Sequence, residues 1–265
     1  MRKSHVISKL EQKQTAWCVA ISMSDFTLFE LAGLTGVDGI WLDLEHHGFS
    51  VESAAHLICG ARAGDTDVIA RPGKGEFMRL GRMLEMGATG IMYPRCDDPE
   101  EAAEVVKWSK FAPLGVRGYD GSNPDMPYMS IPKAEYIQQA NKETFIIVQV
   151  EHPSAVDQAE AIAAVDGVDF LMLGPGDFSI LSGIPEAGYS HPKMQMAIDT
   201  ISKAAKNTGK SWAALAFSLD DVRQFVAAGA GLIFYGSAMR AVRDHFASTR
   251  EALLNEGFAL RDSQI

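Results

Sequence analysis

The chain has 265 residues, 47% of them apolar, and 34 acidic side chains against 24 basic ones give it a formal net charge of −10. Surfaces that bind nucleic acid or an anionic membrane cluster Lys and Arg against phosphates, and no such cluster occurs here, so the acidic balance argues against both partners. The length allows either two small domains or one large α/β barrel.

The amino terminus predicts no targeting segment. Residues 1–14 carry basic side chains with no apolar run behind them, and nowhere in the chain do about 18 consecutive apolar residues occur. We therefore expect a cytoplasmic protein without a membrane span. Cys18, Cys59 and Cys96 are too few and too widely spaced for a disulfide framework or a thiolate zinc site, so we expect reduced thiols.

Short apolar runs alternate with helical segments along the chain. Six helical segments end at a glycine that precedes such a run, namely Gly36, Gly64, Gly87, Gly167, Gly209 and Gly231. Glycine suits the left-handed position that closes a helix, and a buried parallel strand reads as a continuous apolar run. With TAWCVAIS near the start and TFIIVQV in the middle, the pattern predicts eight strands, at residues 15–22, 39–44, 67–70, 90–94, 144–150, 169–173, 211–216 and 232–236.

The segments between these runs have helical periodicity. They include residues 51–63, 75–86, 99–111, 154–165, 192–207 and 219–229. Eight alternating pairs predict an α/β fold, a single (β/α)₈ TIM barrel over residues 1–265, with an open doubly wound sheet as the alternative. A GxGxxG fingerprint after the first strand would favour the open sheet, but ISMSDF at residues 21–26 contains none.

The chemistry of such a barrel lies at the C-terminal ends of its strands. The residues at those ends are Asp43, Glu45, His46 and His47 after the second strand, Arg71 after the third, Arg95, Asp97 and Asp98 after the fourth, Glu151 and His152 after the fifth, and Gly174, Pro175, Gly176 and Asp177 after the sixth.

Two carboxylates follow consecutive strands. Glu151 ends the fifth strand and Asp177 follows the sixth, and neighbouring strands lie about 4.8 Å apart. Two hard oxygen ligands with room for water and substrate suit Mg²⁺ or a similar divalent ion. The alternative is that the carboxylates cap helices, and Asp177 is a good N-cap candidate.

Three further features favour a site for a small anion. Arg71 projects from a strand end, where its guanidinium could hold a substrate oxygen or form an ion pair with Glu45 or Asp43. His46 could act as a general acid/base oriented by Asp43, although pattern alone does not separate it from His47. The Gly176 amide, in a Gly-Pro-Gly run at the start of a helical turn, could hold a carboxylate or simply make a turn.

These residues lie in longer motifs that match a known family. The motifs are GVDGIWLDLEHH, VIARP, GATGIMYPR followed by EEAAEVV, PLGVRG, IIVQVE, and GVDFLMLGPGDFSILSGIP with HP soon after. Together they cover most of residues 15–240, and the chain resembles the HpcH/HpaI family of class II, metal-dependent pyruvate aldolases, which includes the 2,4-dihydroxyhept-2-ene-1,7-dioate aldolases.

The resemblance implies a barrel of the phosphoenolpyruvate/pyruvate-binding type. It assigns the divalent metal ion, Mg²⁺ before Mn²⁺ or Co²⁺, to Glu151 and Asp177, and the acid/base pair to His46 and Asp43. It also implies substrate binding by Arg71, Gln149 and the amides of Gly176 and Asp177. It further implies a homo-oligomer, commonly a hexamer, in which the last helix, about residues 238–257, packs on a neighbouring subunit.

The chain departs from the family pattern at three places. Glu85 stands where many members have Asp, residues 119–132 contain no Arg or Lys, and His152 follows the metal glutamate. The basic side chains that would contact a distal carboxylate in many relatives are therefore missing, which gives less support to a substrate with a second carboxylate.

The expected activity is reversible cleavage of a 4-hydroxy-2-oxo acid to pyruvate, or hydroxypyruvate, and an aldehyde. A lysine imine is the chemical competitor, and Lys74 comes closest to a strand end. The alternative activities are an oxaloacetate-type decarboxylase or a carbon–carbon ligase that uses an enolate at the same site. A barrel that binds a 2-oxo acid without turnover is disfavoured by the intact set of polar residues.

Overall fold

The computed structural model of the chain describes residues 1–264, in which eight parallel strands form one closed barrel in chain order. The strands are β1 (Ala16–Ala20), β2 (Gly39–Asp43), β3 (Asp67–Arg71), β4 (Gly90–Tyr93), β5 (Phe145–Val150), β6 (Phe170–Leu173), β7 (Ser211–Ala216) and β8 (Leu232–Ser237). Because β8 pairs with β1, the sheet is not open. The predicted single (β/α)₈ barrel is confirmed.

Helices alternate with the strands and cover the outside of the barrel. They are α1 (His5–Glu11), α2 (Phe26–Leu34), α3 (Val51–Ala63), α4 (Phe77–Glu85), α5 (Pro99–Ser109), α6 (Lys133–Glu143), α7 (Pro153–Val156), α8 (Ala159–Ala163), α9 (Pro175–Leu181), α10 (Pro192–Asn207), α11 (Leu219–Ala227) and α12 (Ala238–Asn255). The helix predicted over residues 154–165 is divided into α7 and α8, because the Gln158 N–H bonds the Ala155 carbonyl three residues back and tightens the chain there.

Several helices begin at a side chain that accepts a hydrogen bond from the first turn. Asp25, Ser50, Asp98 and Ser218 do this for α2, α3, α5 and α11. Such caps satisfy backbone N–H groups that have no partner within the helix. The caps fix the residue at which each βα loop ends. They therefore set the length of the loop between the strand and the helix at the barrel mouth.

The six junction glycines serve two different purposes. Four of them have the left-handed backbone that the sequence predicts, namely Gly36, Gly87, Gly167 and Gly209. Gly64 has a φ of −81° instead, and a Cβ there would lie 2.2 Å from the Glu30 carbonyl oxygen. A Cβ on Gly231 would lie 2.3 Å from Ser211 Oγ. Close packing against backbone requires glycine at position 64, and close packing against side chains favours it at position 231.

The N-terminal end of the barrel is closed by α1. Val6 is buried among the side chains that fill the barrel interior, including Met92 and Phe234. The Ser4 hydroxyl and the Val6 amide both donate to Asp67 Oδ2, at 2.6 and 3.0 Å, at the start of β3. The opposite end, where the polar residues lie, is therefore the open mouth.

The last helix is largely exposed in the described part of the chain. No residue of α12 is buried, and its exposed apolar side chains include Met239, Phe246 and Leu253. The outer face of β1 and β8 is also only partly covered, and Trp17 and Tyr235 line a cavity of about 310 Å³ there. None of the helices formed by residues 1–264 combines the length and apolar character of a membrane span.

Candidate active site

Arg71 connects three strands at the barrel mouth. Asp43 and Arg71 are paired at the ends of β2 and β3. The guanidinium donates from Nε to Asp43 Oδ1 at 2.9 Å and from Nη2 to Asp43 Oδ2 at 2.8 Å, and Nη1 donates to Gln149 Oε1 at 3.1 Å. Three of the five guanidinium N–H groups are thus engaged among the described residues, which leaves two for a ligand.

The environment of Arg71 holds its side chain rigidly. The guanidinium carbon lies 4.5 Å from the centre of the Trp41 ring, and Nε lies 3.4 Å from Glu45 Oε2. Burial works to raise the pKa of Asp43, but the hydrogen bonds and charge of Arg71, with the amides of Glu45 and His46, hold that pKa below its ordinary value. The ion pair considered as an alternative role for Arg71 is present, and it orients the side chain that faces the mouth.

Of the two histidines after β2, the structure places the ring of His47 against Asp43. His47 Nδ1 lies 2.9 Å from Asp43 Oδ2. The His46 ring is exposed and its Nε2 lies 3.6 Å from Glu45 Oε2. Only the backbone N–H of His46 reaches Asp43, at 3.4 Å. The chain turns over Asp43, so the ring four residues later returns to it, and the predicted pairing of the His46 ring with Asp43 is corrected.

Glu151 is a buried carboxylate at the end of β5. Its residue is 3% exposed, and Oε2 accepts a hydrogen bond from the Arg95 N–H at 3.0 Å. Burial raises its pKa to about 7, with further raising by the charges of Asp177 and Glu45 and partial opposition from Arg71 and the Arg95 amide. The negative charge of Glu151 is therefore disfavoured first by burial and then by its acidic neighbours, and a cation would stabilise it.

Asp177 lies in the first turn of α9 beside Glu151. The N-cap of this helix is Gly174, so the alternative in which Asp177 caps it is wrong. Phe178 N–H bonds the Gly174 carbonyl. The amides of Gly176 and Asp177 precede it in the first turn, where backbone N–H groups lack intrahelical partners.

Gly174 makes room for Glu151. A Cβ on Gly174 would lie 1.8 Å from Glu151 Oε1, so no larger residue fits while the carboxylate keeps this position. On its other side Glu151 meets Arg95, whose φ of 47° is left-handed. Sequence reasoning did not identify the Arg95 amide as part of the site, because a backbone donor leaves no signal in residue identity.

A cavity of about 260 Å³ extends from these residues toward β1 and β8. Its lining residues are Ala20, Ile21, Ser22, Trp41, Asp43, His47 and Ser237. Ser22 follows β1 and Ser237 ends β8, and neither strand has an ionisable residue at its end, so their small size is the only signal in the sequence. The cavity gives a ligand beside Arg71 and Asp43 space in the direction of His47.

Lys74 is unsuited to imine formation. Its Nζ donates to the Arg95 carbonyl at 2.6 Å and to the carboxylates of Asp97 and Glu101 at 2.5 and 3.1 Å. Burial works to lower the pKa of Lys74, but the two carboxylates raise it above its usual value. An imine-forming lysine must be neutral to attack a carbonyl, and Lys74 is held as a cation.

The donor set at the mouth fits a hard divalent cation that keeps some of its water. Within residues 1–264 no group of three or more His, Cys, Asp and Glu side chains is arranged to hold a metal. Glu151 and Asp177 form a pair of carboxylates, and buried Glu45 Oε1 accepts no hydrogen bond in the described chain, although Arg95 Nε lies 3.4 Å from it. Mg²⁺ typically takes one or two carboxylates and completes its coordination with water and substrate.

Comparison with known proteins gives a consistent match. Residues 20–244 match the protein family described as HpcH/HpaI aldolase/citrate lyase. The 5-keto-4-deoxy-D-glucarate aldolase of Klebsiella pneumoniae subsp. pneumoniae is 31% identical over 227 residues, 86% of each chain. The HpcH/HpaI aldolase from Desulfitobacterium hafniense DCB-2 superposes with a TM-score of 0.88 at 27% identity, over 93% of this chain and 95% of that one. Macrophomate synthase superposes with a TM-score of 0.81 at 26% identity, over 95% and 89%.

Proposed function

The chain belongs to the HpcH/HpaI aldolase/citrate lyase family, and on that premise we propose that it is a divalent-metal-dependent aldolase that cleaves 4-hydroxy-2-oxo acids to pyruvate, or hydroxypyruvate, and an aldehyde. The observation that carries the proposal is the joining of Arg71, Asp43 and Gln149 at the mouth beside the repelled carboxylates of Glu151 and Asp177. This arrangement provides the fixed positive charge of Arg71 and a metal site at Glu151 and Asp177. Both would contact the same small anion.

Glu151 and Asp177 would hold the metal, and Mg²⁺ is the proposed ion, with Mn²⁺ or Co²⁺ as substitutes. When bound, the ion would supply Lewis acidity to the keto oxygen of the substrate. Asp177 and Gly176 would also present backbone N–H groups to the substrate carboxylate. These groups would attract an anionic substrate to the mouth, although the chain as a whole has a net charge of −10.

Arg71 would stabilise the negative charge that develops when the bond between C3 and C4 of the substrate breaks. Two of its N–H groups have no hydrogen-bond acceptor within residues 1–264 and would bind the enolate oxygen, while Asp43 and Gln149 prevent the guanidinium from moving. A donor fixed before the reaction stabilises that charge without reorganisation. The proton of the C4 hydroxyl would pass to a histidine of the Asp43 turn as the aldehyde leaves, and C3 of the enolate would then take up a proton to give pyruvate.

The two histidines give a direct prediction. Because Asp43 orients the ring of His47, we expect His47→Asn to lower kcat by about 10²–10⁴, the usual contribution of a general acid/base. His46→Asn, which changes the more exposed ring, should lower it by less than about tenfold. Steady-state kinetics of both variants with one substrate measure the ranking. The reverse ranking would give the role to His46, the residue to which the family resemblance points.

Metal affinity is expected to depend on pH through Glu151. Its pKa of about 7 in the metal-free protein exceeds the value of roughly 4.3 for an unfolded chain, so the folded state holds the extra proton between these values. The metal-free protein should therefore lose stability as pH rises through this window. Mg²⁺ binds the deprotonated form, so its apparent affinity should rise by about tenfold per pH unit up to pH 7 and then level off. Mg²⁺-dependent melting temperatures across the window test this, and a flat affinity would contradict it.

The general proposal is tested by pyruvate release from a panel of 4-hydroxy-2-oxo acids. We expect release after a divalent ion is added to chelator-treated protein, and none without it. The panel should include 5-keto-4-deoxy-D-glucarate, the substrate in the names of curated relatives. Tight pyruvate binding with no release in the presence of any divalent ion would reject the aldolase and favour a non-catalytic 2-oxo-acid-binding barrel.

A second candidate is a decarboxylase or carbon–carbon ligase that uses oxaloacetate as its enolate source. The superposition on macrophomate synthase favours keeping it, since that protein is named as a synthase and not as an aldolase. Carbon dioxide release from oxaloacetate without aldol turnover would support this candidate over the aldolase.

We also propose a homo-oligomer, as large as a hexamer, in which α12 packs on a neighbouring copy. Each copy has two incompletely covered surfaces, namely the apolar side of α12 and the outer face of β1 and β8. The α12 helix of one copy could therefore be covered by a neighbouring copy. Phe246→Glu should therefore yield smaller assemblies by sedimentation velocity. Met78→Glu, which charges an exposed apolar residue of α4, is the matched control and should leave the assembly intact. A wild-type monomer, or a Phe246 variant of unchanged size, would contradict the assembly.

A further inference from the structure

A cluster of polar residues lies behind the loop that follows β4, and the mechanism above does not use it. It consists of Lys74, Tyr93, Asp97 and Glu101, which we name the Lys74 cluster. Lys74 belongs to the β3–α4 loop, yet its Nζ reaches 21 residues along the chain to the Arg95 carbonyl, at 2.6 Å. The same Nζ contacts the carboxylates of Asp97 and Glu101.

Glu101 organises the cluster. Its Oε1 accepts the Tyr93 hydroxyl hydrogen bond at 2.7 Å, and its Oε2 accepts the Asp97 N–H at 2.9 Å. Tyr93 is fully buried, its oxygen accepts the Gly75 N–H at 3.0 Å, and its ring stacks on Phe77. The two neighbouring βα loops are therefore joined through side chains anchored on β4 and α5.

The residue between the cluster and the candidate metal site is Arg95. Its carbonyl is held by Lys74, and its N–H points the other way, onto Glu151 Oε2 at 3.0 Å. The backbone of Arg95 between these two groups is left-handed, with φ at 47°, which residues other than glycine seldom adopt. The next amide, Cys96 N–H, is fixed on the Gln149 carbonyl at 2.9 Å.

We propose that Lys74 and Glu101 are positioning residues for Glu151. Lys74 holds the Arg95 carbonyl, and Glu101 holds Lys74 and the Asp97 N–H, so together they keep the left-handed backbone of Arg95. In this backbone the Arg95 N–H occupies one oxygen of the Glu151 carboxylate, which fixes the direction in which the other oxygen faces the mouth. The inference rests on the proposed metal role of Glu151. Residues that orient a ligand typically change metal affinity by 10–100-fold when they are replaced.

The alternative is that the cluster only ties two loops together, in which case it affects stability and not the Arg95 amide. Lys74→Met tests the difference by hydrogen exchange of the ¹⁵N-labelled Arg95 amide and by Mn²⁺ binding followed through the signal of free Mn²⁺. We expect amide exchange at least about tenfold faster and Mn²⁺ affinity about tenfold weaker. Lys107→Met removes an exposed lysine that pairs with Glu104 on α5, and it should change neither quantity.

A pair of variants at Arg95 isolates the backbone. Arg95→Gly and Arg95→Val both lose the side-chain contact with Glu45, so a difference between them comes from the peptide. Glycine adopts a left-handed backbone without penalty, whereas a β-branched residue resists it. We expect Mn²⁺ to bind the valine variant about tenfold more weakly than the glycine variant.

Unchanged Arg95 exchange in Lys74→Met, or equal Mn²⁺ affinity of the two Arg95 variants, would overturn the inference. A wild-type protein that binds no Mn²⁺ would instead reject the metal role in the proposed function. In that case the exchange rate of the Arg95 amide still decides whether Lys74 positions the peptide against Glu151.

Discussion

Replacing Arg71 with methionine is expected to lower kcat by about 10²–10³, the usual effect of removing a fixed donor from a developing oxyanion. Arg71→Lys should recover little of the loss, since lysine keeps the charge but has three N–H donors instead of five. It therefore cannot make both bonds to Asp43, bond Gln149 and still offer two N–H groups to the substrate. Steady-state kinetics with saturating metal measure both variants.

The Arg71 variants need a control for folding, because buried Asp43 loses its bidentate guanidinium partner in both. Circular dichroism and melting temperature should accompany the kinetics, and Arg79→Met, which breaks a surface pair with Glu76, should keep normal turnover. A folded Arg71→Lys variant with wild-type kcat would reject the proposed role of the guanidinium.

Glu151→Gln is expected to weaken Mg²⁺ or Mn²⁺ binding by more than about 100-fold, since even residues that only orient metal ligands account for 10–100-fold. The same change should raise the melting temperature of the metal-free protein above pH 7, because it removes a buried charge that Asp177 and Glu45 repel. Opposite effects on binding and stability separate loss of a ligand from loss of the fold.

Two comparisons sharpen the Glu151 prediction. Asp177→Asn should also weaken metal binding, whereas Glu160→Gln, on the exposed surface of α8, should not. Metal affinity is measured by calorimetry after chelator treatment. If Glu151→Gln binds the ion as tightly as the wild type, the metal lies elsewhere and the mechanism loses its cation site.

The barrel and much of its mouth could be predicted because they depend on periodic burial. The apolar runs of buried parallel strands are continuous, so the ends of these runs predict that Asp43, Arg71 and Glu151 lie at the barrel mouth. The strand pairing then put Asp43 opposite Arg71. The sequence therefore predicts the positions of those site residues that depend only on the order of the strands.

Other parts of the site depend on local geometry that residue types do not encode. The choice between His46 and His47 follows from how tightly the chain turns over Asp43, and both residues have the same side chain. The Arg95 contribution is a backbone amide, which any residue except proline carries. Position 64 is another case that residue types do not predict. Glycine is needed there because the Glu30 carbonyl, on another helix, lies too close for a Cβ.

The closure of the barrel by α1 also divides the molecule into an end for stability and an end for chemistry. Val6, with Met92, Phe234 and the other interior side chains, packs the space between the two ends, so the barrel is a filled core and not a channel. Ser4 and Asp67 lie on the far side of that core from Arg71 and Glu151. Substitutions at the α1 end can therefore change the stability of the fold without altering the groups at the mouth.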